Sequence, residues 1–127
     1  MAHILLIEDD DTLREAVSQN LARAGHTVIE AADGDQGLAL FRTNQVDLVL
    51  TDLVMPGKEG IQTIIEIRRE QPELPIVAMS GGLPRSGTYL GIAGKLGARY
   101  VLAKPFTPQE LLAAINQSLA PRPPRPL

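Results

Sequence analysis

Glu8-Asp9, Asp52, Ser80-Gly81 and Lys104 are scattered along this chain of 127 residues, yet together they have the makings of one chemistry. Three carboxylates brought close repel one another, so at neutral pH they need a cation or raised pKa values. A hard, oxygen-preferring ion fits, since Mg²⁺ is typically held by one or two carboxylates with water and phosphate oxygens. A carboxylate beside such an ion can act as a nucleophile and form an aspartyl phosphate. Phosphoryl transfer then asks mainly for positioning and charge neutralisation. Lys104 supplies a positive charge, Ser80 a hydroxyl donor and Gly81 an unobstructed backbone N–H.

Each residue taken alone has a plainer reading. Acids at 8–11 ahead of a helix usually cap it and complement its dipole. A strand-end Asp is often a turn residue, and Ser-Gly-Gly or Lys-Pro is ordinary loop sequence. What changes the balance is that each group directly follows an apolar run.

Those runs are strands. "HILLI" (3–7), "TVIEA" (27–31), "DLVLTD" (47–52), "PIVAMS" (75–80) and "YVLA" (100–103) alternate with helix-like segments. The first helix carries Leu13, Val17 and Leu21 on one face with Ala16 and Ala24 beside them, and Gly25 ends it. Asp33 caps the second, with Gln36 at capping-box spacing. The third covers 59–70, with Ile61, Ile64 and Ile65 inward and Arg68, Arg69 and Glu70 outward. A glycine-rich segment follows strand four, and a fourth helix is expected within it. In the last helix Thr107 is the cap, Pro108 the first residue and Glu110 the capping-box partner, with Leu111, Ile115 and Leu119 facing the core.

Five strands alternating with five helices predict an α/β, doubly wound fold with a five-stranded parallel sheet in the flavodoxin-like order 2-1-3-4-5. Parallel strands are covered on both faces, hence the near-continuous apolar runs. Ligands in such folds bind beyond the carboxyl ends of the strands, where strand order reverses. Every strand but the second delivers a polar or charged residue to that edge.

Hydrophobic residues make up 44% and charged residues 21% of the chain, which fits one globular domain. No apolar run approaches the roughly 20 residues of a membrane span, and "MAHILLIEDD" does not read as a signal peptide. The absence of cysteine excludes disulfides and thiolate chemistry and fits a cytoplasmic protein. The tail "PRPPRPL" carries Arg122 and Arg125, so the chain's −3 becomes −5 over residues 1–120, a poor nucleic-acid surface. Residues 1–119 read as the domain, and 120–127 as an extended tail or the start of a linker. His3 and His26 read as structural, with no second ligand at metal spacing to either.

The chain resembles the receiver domains of bacterial response regulators over about residues 3–119. The motifs that carry this are "ILLIEDD", "LVLTDLVMPGKEG", "IVAMSG" and "GARYVLAKPF", in that order. The resemblance implies a phosphorylation-controlled switch in two-component signalling. Asp52 would accept the phosphoryl group from a histidine kinase or histidine phosphotransfer protein. Asp9 would bind Mg²⁺ directly and Glu8 through water, with Asp52 and the Val54 carbonyl completing the protein ligands. Lys104 would pair with the phosphoryl group, the peptide into Pro105 would be cis, and Ser80 would be the switch hydroxyl. Asp10 and Asp11 remain helix caps. Met55-Pro56-Gly57 turns the chain away after the nucleophile, and Gly60 lets the third helix start close by.

Two departures stand out. Val101 occupies the position three before the lysine where the family often has an aromatic ring, and strand alternation sends Tyr100 to the opposite face. Gly91 and Gly94 fall in the presumed fourth helix, each costing roughly 1 kcal/mol relative to alanine, which predicts a short, shifted or mobile helix. The expected partners are the kinase or phosphotransfer protein and an unidentified downstream protein, with no direct nucleic-acid or membrane contact and a homodimer left open. The chain reads either as a stand-alone regulator or as a receiver cut from a larger protein. It is not expected to be an enzyme beyond accepting and slowly losing its own phosphoryl group. A haloacid-dehalogenase-type hydrolase would need an acid where Val54 stands. The alternative is a receiver-like module that binds partners without phosphorylation.

Overall fold

Among the described residues, the apolar runs form strands and the amphipathic runs helices. The computed structural model describes residues 2–53, 60–81 and 97–120. The order is β1 (His3–Ile7), α1 (Asp11–Arg23), β2 (Thr27–Ala31), α2 (Gly34–Thr43), β3 (Leu48–Asp52), α3 (Gly60–Glu70), β4 (Ile76–Ser80), β5 (Tyr100–Ala103) and α4 (Pro108–Leu119). Four helices stand among the described residues where five were expected. The segment with Gly91 and Gly94, the Val54 carbonyl, Met55-Pro56-Gly57 and the tail 121–127 lie outside them.

The five strands form one sheet in the order β2-β1-β3-β4-β5, and every pairing is parallel. Strand order reverses between β1 and β3, so the residues following Ile7 and those ending β3 flank the switch point. Alternation then divides the core. Ile4, Leu6, Leu48, Leu50, Val77 and Met79 pack with Val17 and Leu21 of α1 and Leu111, Ala114 and Ile115 of α4. Leu5, Ile7, Val49, Ile76 and Ala78 pack on the other face with Leu38 and Phe41 of α2 and Ile64 and Ile67 of α3. Each fully buried aliphatic side chain of this kind contributes about 1.5–3 kcal/mol.

The local signals act as their chemistry dictates. Asp10 caps α1 by accepting from the Leu13 N–H at 3.1 Å, and Gly25 follows the helix at φ 95°. Asp33 caps α2, but Gln36 reaches one residue further back than a capping box requires and accepts from the Ala32 N–H at 2.7 Å. The Thr107–Glu110 capping box of α4 is complete.

Two helix faces differ from expectation. Ala16 is exposed rather than beside the buried stripe of α1. On α3 the buried residues are Gly60, Thr63, Ile64 and Ile67, while Ile65 is 38% exposed and Ile61 only partly buried. Arg68 is not simply outward: its guanidinium donates to the carbonyls of Pro72, Leu74 and Gly97 at 2.7, 2.7 and 2.9 Å, tying the end of α3 to the approach to β5.

Candidate functional site

The residue after β1, Glu8, is wholly buried. Its N–H donates to the Ala31 carbonyl at 3.0 Å, and its Oε2 accepts from the Asp10 N–H at 3.0 Å. Asp52 ends β3 and is 7% exposed. Lys104 follows β5, and its Nζ donates to Glu8 Oε1 at 2.7 Å and to Asp52 Oδ2 at 2.9 Å. One ammonium thus bridges carboxylates from two neighbouring strands. Asp9 is exposed beside them, and carboxylate oxygens of Glu8, Asp9 and Asp52 all lie within 4.8 Å of one another.

Backbone approaches set this geometry. The Lys104 N–H donates to the Ser80 carbonyl at 2.7 Å, and the Lys104–Pro105 peptide is cis. The lysine stem crosses Gly81, where a Cβ would lie 2.6 Å from Lys104 Cδ and 2.9 Å from its Cβ. Gly60 brings α3 against the end of β3, where a Cβ would lie 1.7 Å from the Asp52 backbone oxygen. That same oxygen accepts from Thr51 Oγ1 at 3.0 Å.

Burial pushes the Glu8 carboxyl above the usual carboxylate range. The Asp10 N–H and Lys104 oppose this, while the negative charge of Asp52 and a hydrogen bond with Asp9 add to it. Burial alone would lower Lys104, but its hydrogen bonds to Glu8 and Asp52 and their charges outweigh it and raise the ammonium above its ordinary value. The lysine therefore stays charged at neutral pH. Three oxygen donors of one sign, one of them exposed, suit a hard divalent cation. Such an ion would compete with Lys104 for Glu8 and Asp52.

A cleft of about 610 Å³ opens over this cluster, lined by Asp10, Leu13, Asp52, Gly81, Lys104, Pro105 and Phe106. The structure brings together Glu8, Asp9, Asp52, Gly81 and Lys104 as the sequence placed them. Ser80 is half-buried at the end of β4 and is not among the residues lining the cleft. Val54 lies outside the described residues. Val101 packs into the core on the α2/α3 side and Tyr100 on the α1/α4 side, so no ring stands at the Val101 position.

Sequence reasoning missed the apolar wall formed by Leu13, Pro105 and Phe106. It also missed Arg14, which donates to the Glu8 carbonyl at 2.8 Å. Phe106 had a signal in its place beside Lys104-Pro105, whereas Arg14 looked like any charged helix residue. His3, read as structural, meets an acid immediately before the neighbouring strand: its Nδ1 lies 3.3 Å from Asp47 Oδ2. His26 accepts from the Ala2 N–H at 3.3 Å. Among the described residues, no helix is long and apolar enough to cross a membrane.

The family model described as response regulator receiver domain matches residues 4–116. The transcriptional regulatory protein DltR of Streptococcus agalactiae is 37% identical over 114 residues, covering 89% of this chain and 50% of DltR. CpxR of Klebsiella pneumoniae is 38% identical over 119 residues, covering 94% of this chain and 50% of CpxR. The chain spans about half the length of the curated relatives it matches. Among solved structures, a response regulator receiver domain protein from Clostridium thermocellum superposes with a TM-score of 0.86 at 31% identity, covering 94% of each chain. The chemotaxis protein CheY4 of Vibrio cholerae gives 0.86 at 29% identity, covering 94% of this chain and 99% of its own.

Proposed function

The chain belongs to the response regulator receiver domain family, and from that premise we propose that Asp52 accepts a phosphoryl group from a histidine kinase or histidine phosphotransfer protein. The observation that carries the reading is the Lys104 ammonium bridging the buried carboxylates of Glu8 and Asp52 beneath an open cleft. An Asp52 carboxylate oxygen forms the new bond to phosphorus. The bond from phosphorus to the donor's imidazole nitrogen breaks, and its electron pair stays on that nitrogen. Asp52 is fixed for this by its place at the end of a fully buried strand, which holds it closer to a productive geometry than a loop would.

Glu8, Asp9 and Asp52 would hold Mg²⁺, with the Val54 carbonyl as a further ligand. Bound there, the ion supplies Lewis-acid neutralisation of the phosphoryl oxygens. Lys104 adds a fixed positive charge on the same group, the Gly81 N–H and the Ser80 hydroxyl add donors, and the apolar wall at Leu13 and Phe106 narrows the approach for water. With valine at 101, the response to phosphorylation runs through Ser80 and the segment after it, towards a downstream protein. The named relatives are transcriptional regulators about twice the length of this chain. Beyond self-phosphorylation and slow loss of the phosphoryl group, the domain turns over no substrate.

The test uses small phosphodonors. Incubation with phosphoramidate or acetyl phosphate and Mg²⁺ is expected to add one phosphoryl group by intact mass, to fail in chelator and to fail in Asp52→Ala. No adduct from either donor or from a phosphorylated histidine phosphotransfer protein would overturn the reading and favour a phosphate-independent module.

A further inference from the structure

Arg14 lies on the first turns of α1, yet its side chain is only 19% exposed. Its guanidinium reaches three segments. Nη1 donates to the Glu8 backbone carbonyl at 2.8 Å, Nη2 to Asp11 Oδ1 at 2.6 Å, and Nε lies 3.6 Å from Glu30 Oε1 on β2. The Glu8 carbonyl belongs to the peptide that joins Glu8 to Asp9, so fixing it fixes the plane from which both residues leave the chain. Glu8 has further restraints in burial, the Asp10 N–H and Lys104. Asp9 is exposed, with a hydrogen bond to Glu8.

We infer that Arg14 is a positioning residue for the cation site, holding the Glu8–Asp9 peptide so that both carboxylates converge on Asp52. The inference rests on the reading of Glu8, Asp9 and Asp52 as a Mg²⁺ site. It is distinguishable from a plain charge effect because the two have opposite signs. A guanidinium bonded to the peptide that carries two of the carboxylates weakens cation binding by repulsion, so its removal on charge grounds alone tightens Mg²⁺. Loss of orientation loosens it. Arg14→Lys separates them further, since a lysine keeps the charge but its point-like ammonium lacks the planar fork that serves a carbonyl and a carboxylate together.

Mg²⁺ affinity of the full chain, measured by titration calorimetry for wild type, Arg14→Lys and Arg14→Ala, is the test, with melting temperatures in chelator as the control for folding. Both variants are expected to bind Mg²⁺ about tenfold more weakly, the scale of losing an outer-shell partner of a metal ligand, while Arg14→Lys melts near wild type without metal. Wild-type affinity in Arg14→Lys, or tighter binding in Arg14→Ala, overturns the inference and leaves the site intact. Wild type that binds no Mg²⁺ overturns the site and the inference together. If Arg14→Ala does not fold, Arg14→Lys decides alone.

Discussion

A lysine can serve a phosphoryl group only if its long stem is steered, and here part of the steering comes from a missing side chain. Lys104 lies across Gly81 at a distance that no Cβ tolerates. Its ammonium is held by two carboxylates; on the lysine's side the raised pKa keeps the pairing in full below lysine's ordinary 10.5 and loses it as the pH rises through the higher folded value, while in acid it weakens as the Glu8 carboxyl, itself raised by burial, takes up a proton. Charge is thus secure at neutral pH and position is the vulnerable quantity. In Gly81→Ala the new methyl meets Lys104 at both Cβ and Cδ, so the stem must swing away. Phosphoryl uptake from phosphoramidate is expected to slow by about ten- to a hundredfold, as misplacements near 1 Å do. Unfolding free energy should fall by about 1–3 kcal/mol, because the Lys104 Cβ moves only with its backbone and a displaced stem leaves the buried Glu8 carboxylate without its ammonium. Stopped-time mass measurement and urea melts check the two. An unchanged rate would mean that the stem's path over Gly81 is incidental.

At the scale of elements, α3 shows how a backbone contact can override a side-chain pattern. Its isoleucines at 61, 64 and 65 suggest one inward face, but the buried set is Gly60, Thr63, Ile64 and Ile67, the i, i+3, i+4, i+7 spacing of a helix stripe. Gly60 must face the Asp52 carbonyl, and that requirement turns the helix so that Ile65 faces out and Thr63 faces in. A polar residue at a core position hid the stripe from hydropathy reading. Gly60→Ala would set a methyl 1.7 Å from a backbone oxygen, where no rotamer change can relieve it. The variant is expected to lose about 1–3 kcal/mol in urea unfolding, and phosphoryl uptake with it as α3 backs away from Asp52. Wild-type stability would show that the helix start can shift freely. Other elements were legible because single local rules decide them. The strands are nearly pure apolar runs, and the Thr107-Pro108-Glu110 signal forms the complete cap. Lys104 and Glu8 could be placed at one edge from their strand-end positions alone. Arg14 and the cleft wall could not, since they depend on how α1 and the segment after β5 sit over that edge, which strand patterns do not encode.

For the molecule as a whole, the sheet gathers charge of one sign where strand order reverses. Glu8 and Asp52 are buried, Asp9 adjoins them, and Lys104 bonds to the first two. The folded state therefore holds a repulsion that the unfolded chain avoids by separating these residues. A divalent cation that binds the folded cluster and not the unfolded chain must stabilise by mass action, by about 2.7 kcal/mol at a hundred times its Kd. At this chain length that corresponds to a rise of roughly 10 °C in melting temperature. The rise should vanish in chelator and shrink strongly in Asp52→Ala, which removes one of the three carboxylates. General screening of the −5 body is a competing cause, and it depends on ionic strength rather than on a particular site. NaCl matched to the ionic strength of the Mg²⁺ sample separates them: a specific site responds to Mg²⁺ alone, whereas equal shifts with both salts would assign the stabilisation to screening and remove the thermodynamic case for a cation at Glu8, Asp9 and Asp52.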